Sequence, residues 1–176
     1  MQTSARPAGS SARDVARYLV ALRPILIGAT EARRAWVRQI GVLLEDGRHG
    51  DPGRIASAAG KMGRETLSTF RDSRIRVELL RPPSGCGECH QALLHWIEKL
   101  IAACEVLAKV GRTSNLTGIH DAQDILADSR AHAHRFNAEY ARLVGELRER
   151  VAAAGARRSR GAGRGGRSTY AARSTA

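Results

Sequence analysis

The chain has 176 residues and a formal net charge of +12, with 43% apolar but only 4% aromatic residues. This length suits one core that removes about two-thirds of the unfolded surface from water, and it is too short for two ordinary domains. An apolar set made mostly of Ala, Leu, Val and Ile favours helix interiors and argues against a β-rich fold or an aromatic-lined ligand cavity.

The charge is unevenly placed. All 17 acidic residues lie between Asp14 and Glu149, so the ends, with Arg6, Arg13, Arg150 and six tail arginines, carry +9 and the middle only +3. Basic, acid-free ends point to segments that touch something anionic, whereas a nucleic-acid-binding fold would gather its charge on one folded face. Arginine outnumbers lysine 26 to 3, a bias that GC-rich coding also produces. No stretch reaches the length of uncharged apolar residues that spans a membrane. Tyr18 to Ala29 has the length of a signal-peptide core, but Arg23 and Pro24 interrupt it and a helical period runs through it, so export is not expected. Three cysteines without export read as free thiols in the cytoplasm.

Residues 1–12 are small, polar and proline-interrupted, and read as a disordered lead-in. A four-helix bundle is expected over 13–155. The first helix, about 13–46, carries Val15, Leu19, Leu22, Leu26, Ala29, Trp36, Ile40 and Leu43 at helical spacing. Arg33 interrupts that seam, as a snorkelling side chain, a paired buried charge or a register-setting residue, and Pro24 should kink or divide the helix. Asp51 before Pro52 makes an N-cap with proline at the first helical position and opens the second helix, about 52–81, which Pro82-Pro83 must end. The third helix, about 85–111, has the cleanest stripe, Cys89, Leu93, Ile97, Leu100, Cys104, Leu107 and Val110, with Gly111 as its stop. The fourth, about 118–154, runs from Ile119 through Phe136, Tyr140 and Leu147 to Val151, and Gly155 closes it. Short loops return each helix alongside the last, giving an antiparallel up-down bundle roughly 40 to 50 Å long.

The tail, 156–176, is low-complexity Arg/Gly/Ser and is expected to be disordered. Arg157, Arg158, Arg160, Arg164, Arg167 and Arg173 give it a resemblance to RGG-type segments that bind nucleic acid or other polyanions weakly and salt-sensitively.

One stretch is chemically loaded: Cys86-Gly-Glu-Cys89-His90, at the start of the third helix. Its three reactive side chains sit at i, i+3 and i+4 and emerge on one face of the first turn. Exposed N–H groups and the helix dipole there would lower a cysteine pKa, as in dithiol redox sites. The same residues supply three of four zinc ligands, and they match the c-type haem attachment pattern. Haem ranks below zinc because its attachment follows export. In an antiparallel bundle Cys89 should be level with Val77, with Tyr140 and with Tyr18 to Val20, which brings no further histidine or cysteine to the motif. Cys104 is one helix stretch of about 22 Å beyond Cys89, too far for a disulfide, and reads as a core residue. His95 and His134 should share one level, with His132 close by. No Ser-His-Asp order, phosphate loop or paired-acid motif is present.

These features point first to a non-enzymatic interaction protein, acting through a protein partner or self-association and holding an accessory thiol or metal site at Cys86, Cys89 and His90. A redox, metal or haem protein built on those residues is the second reading, and a nucleic-acid-associated protein acting through its tail the third.

Overall fold

The computed structural model describes residues 10–46 and 50–162. They form four helices and, among the described residues, no strands: α1 (Ala12–Asp46), α2 (Pro52–Glu78), α3 (Gly87–Thr113) and α4 (Thr117–Ala162). The bundle is antiparallel, with α2 and α4 flanking α3 closely and α1 lying diagonal to it. No described helix is long and apolar enough to cross a membrane.

The ends follow local chemistry. The Asp51 carboxylate accepts the Arg54 N–H at 2.9 Å, and Pro52 occupies the first turn, where its missing donor costs nothing. Helix α2 finishes at Glu78, short of the expected Arg81, because Leu80 N–H turns back to the Val77 carbonyl at 2.9 Å in a tight last turn. Pro24 does not divide α1, which runs unbroken through it. Gly111 does not end α3. The helix continues to Thr113, and Ser114 adopts the left-handed cap with φ 55°. Gly155 does not close α4 either. Nothing approaches its missing Cβ within 4 Å, and a lone glycine costs a helix only about 1 kcal/mol, so the Ala-rich run around it carries α4 to Ala162.

Gly111 instead belongs to the closest contact in the bundle. A Cβ at Gly60 would lie 2.5 Å from the Gly111 Cα, and one at Gly63 would lie 2.6 Å from both the Ala108 N and the Cys104 carbonyl oxygen. The α2 and α3 backbones therefore touch along a strip of small residues that includes Ala56, Ala59 and Cys104. This explains why Cys104 is fully buried with a thiol rather than a larger side chain at its position. Helix α1 has no such strip and is spaced from its neighbours by bulky side chains, among them Leu22, Ile25 and Trp36. The Trp36 ring packs edge-on against Phe70 at 5.9 Å between centroids.

Gly60→Ala is expected to destabilise the protein by about 1 to 3 kcal/mol, because the clash is with backbone and outweighs alanine's better helix propensity. Gly28→Ala, on α1 with nothing within 4 Å, is expected to stabilise it by about 0.5 to 1 kcal/mol. Urea unfolding of the two variants measures both signs.

Candidate functional site

The Cys86 to His90 turn forms where Gly85, at φ +88°, reverses the chain after Pro82-Pro83 and Cys86 takes the N-cap of α3. Cys86 N–H bonds the Pro83 carbonyl at 2.9 Å, and its own carbonyl accepts His90 N–H at 3.0 Å, while its side chain makes no capping bond. The helix start turns Cys86, Cys89 and His90 inward. Both thiols are completely covered, and His90 is 6% exposed.

Across the core, the Tyr18 hydroxyl hydrogen-bonds His90 Nδ1 at 3.1 Å, joining α1 to the diagonal helix α3. The level placement that set the motif opposite Tyr18 to Val20 thus agrees with the geometry. Tyr18 itself is legible only as a level, since a tyrosine off the aliphatic stripe carries no signal of being a histidine's partner. Arg142 of α4 lies over the turn. It donates to the Gly85 carbonyl at 3.2 Å and is held by Glu139 at 2.8 Å and Glu146 at 2.6 Å. Arg135 pairs with Glu88 on the outer side of the same turn.

Burial reverses the expected thiol chemistry. It raises the Cys86 thiol above its ordinary value and pushes Cys89 up to about 12, with the neighbouring Cys86 and then Glu139 adding to the rise. Arg142 works in the opposite direction but does not overcome desolvation. The helix N-terminus therefore does not produce a lowered cysteine pKa here, because excluding water from the thiolate outweighs the dipole. Burial likewise raises Cys104 to about 12, holds the Tyr18 proton in place, and lowers His90 toward the neutral imidazole.

All three cysteines are free. Among the described residues no three His, Cys, Asp or Glu side chains assemble into a group that could hold a metal ion, so the three zinc donors of the motif are not gathered as a ligand set. A porphyrin does not fit the arrangement. Its thioether bonds need both sulfurs at a surface the macrocycle can reach, whereas these sulfurs are sealed in the core.

The other histidines part company. His95 pairs with His132, rings 5.5 Å apart on the α3–α4 surface, while His134 faces the α1–α4 side, because residues two apart on a helix point in nearly opposite directions. Of the tail arginines, Arg157 is exposed on α4, and Arg158 and Arg160 fall on its last turns. Arg164, Arg167 and Arg173 lie outside the described residues, as does most of the N-terminal lead-in.

The fold and site thus define an all-α four-helix bundle whose Cys-x-x-Cys-His turn is an internal element. No family model, curated protein or solved structure is similar to this chain at a significant level.

Two measurements check the site. Tyr18→Phe leaves the His90 nitrogen buried without its partner and should cost about 1 to 3 kcal/mol in urea unfolding. Stability should also fall on both sides of neutrality. Below pH 6.5 the unfolded chain protonates His90 more readily than the folded one, so stability is lost as pH drops through the lowered folded value. Above pH 9.0 the unfolded thiols ionise while folded Cys89 keeps its proton to about 12, so stability falls steadily over that interval. His90→Gln should remove the acid limb and leave the alkaline one.

Proposed function

We propose that this protein is a non-enzymatic interaction protein of the cytoplasm whose partner is an acidic protein segment met along the outer side of α1. The observation that carries this reading is the contrast in how arginines are used. Five arginines of α2 and α4 meet carboxylates, among them Arg71 with Glu105 at 2.7 Å, Arg74 with Glu78 at 2.9 Å, and Arg142 with Glu139 and Glu146. Among the described residues, none of the α1 arginines, from Arg13 to Arg38, makes an ion pair.

The outer stripe of α1 alternates these charges with uncovered apolar side chains. Val20, Arg23, Ile27, Arg34 and Arg38 share one side at helical spacing, with Glu31 as the carboxylate among them, so the stripe stays net basic, and Val20 is 72% exposed and Ile27 48%. Mixed apolar and basic character suits an acidic amphipathic helix, which offers both kinds of surface, better than it suits a nucleic-acid backbone. Self-association is disfavoured by the net charge of +12, which makes two copies repel.

The Cys86 to His90 turn serves this function indirectly. Its thiols, kept protonated by burial, and the Tyr18–His90 bond anchor α1 to the rest of the bundle. Free buried thiols are suited to a reducing compartment.

Fluorescence anisotropy with a synthetic Glu/Leu amphipathic helix and with an RNA oligonucleotide tests the reading. The peptide should bind in a salt-sensitive manner, and Arg23→Glu combined with Arg38→Glu should weaken it about tenfold or more with the circular dichroism unchanged. RNA bound in preference to the peptide, and lost on truncation after residue 156, would contradict it in favour of the tail arginines.

A further inference from the structure

The seam between α1 and α4, which shares Arg34 with that outer stripe, contains a site of its own. A cavity of about 490 Å³ opens there, walled by Arg33 and Arg34 of α1, Arg130 and Phe136 of α4, Leu26, and Trp96 reaching across from α3. Arg33 and Arg130 are shared with a second cavity of about 330 Å³ farther along the same seam. No carboxylate lines either one.

The sequence marks Arg33 as an interruption of an apolar seam, and its side chain is neither paired with a carboxylate nor fully snorkelled. It is half-buried, and its Nε is sealed from water without a hydrogen-bond partner. The Trp96 indole N–H is in the same condition, on a residue only 6% exposed. Buried donors left unsatisfied are costly, and nearly all such groups in folded proteins have an acceptor. Here two of them belong to residues lining one cavity, beside two further guanidinium groups that also lack carboxylate partners. Every unmet group is a donor and most are cationic, and the rest of the wall sets the apolar Leu26, Ala133 and Phe136 beside the uncharged polar Thr30 and Asn137 and the imidazole of His134.

We propose that the α1–α4 cavity binds a small organic anion, with its carboxylate or phosphate head between Arg33 and Arg130 and its apolar body against Leu26 and Phe136. Guanidinium groups match either head by paired, charge-assisted hydrogen bonds, and the cavity volume falls in the ordinary range for small-molecule sites. The looser packing of α1 on α4 supplies the entrance.

Isothermal titration of the full chain with 4-phenylbutyrate, phenyl phosphate, the neutral 4-phenylbutanol and inorganic phosphate tests the proposal. Saturable one-to-one binding of at least one aryl anion is expected, and the tighter of the two identifies the head group. The alcohol and inorganic phosphate should each bind about tenfold more weakly or worse, because each lacks one half of the recognition. Arg33→Met and Arg130→Met should weaken the anion about tenfold, and Trp96→Phe should weaken it while keeping a ring in place. Arg150→Met, at the far end of α4, serves as the control and should leave binding unchanged. Each variant's thermal melt shows whether it is folded. Absence of saturable binding by both aryl anions, equal binding of acid and alcohol, or indifference of folded Arg33 and Arg130 variants would overturn the proposal.

Discussion

The backbone contact between α2 and α3 is the constraint on which the rest of this structure depends. With Gly60 against Gly111, and Gly63 against the Cys104 to Ala108 turn, two helices approach as closely as main chains permit. Dispersion contacts then accumulate along the whole crossing. Helix α3 becomes the centre of the bundle, covered by α2 on one side and α4 on the other. Helix α1 is left to close the remaining corner with large side chains and stands farther out. The open α1–α4 seam follows directly from this asymmetry, as does the availability of α1's outer face.

The same asymmetry decides the fate of the cysteine motif. Because α3 is the central helix, its first turn begins inside the core, and a constellation that would be reactive on a surface helix is sealed by Tyr18 from α1 and overlain by Arg142 from α4. Position in the bundle, more than the residue types themselves, sets the protonation of Cys86, Cys89 and His90. Desolvation acts on all three in the same sense, toward the neutral form. The motif lies where the α2–α3 turn, α1 and α4 meet at one end of the bundle.

Much of this was legible in the sequence. Apolar residues at helical spacing gave four helices and their order, Asp51-Pro52 gave the start of α2, and the loop centres gave the level at which Tyr18 meets His90. Other features were not, for physical reasons. Gly111 and Gly155 are both glycines near helix ends, yet one is demanded by a neighbouring backbone and the other merely tolerated, and the chain's own order does not distinguish those cases from a cap. Whether Cys86 and Cys89 face water or core depends on where α4 lies, which is a tertiary fact. Trp96 reads as one more apolar residue beside the α3 stripe, and only its unpaired N–H beside Arg33 separates it from ordinary core. Arg33, by contrast, announced itself as a charge on an apolar seam, though not as an unpaired donor facing a cavity.

Packing in this bundle is hierarchical, with α2 and α3 locked by backbone contact and α1 the least tightly held element. Native-state amide hydrogen exchange measures that hierarchy directly. Amides of α3 from Cys104 to Gly111 should exchange only through global unfolding, while α1 amides around Arg33 should exchange through a local opening of lower free energy. Equal protection of α1 and α3, rising and falling together with global stability, would contradict it.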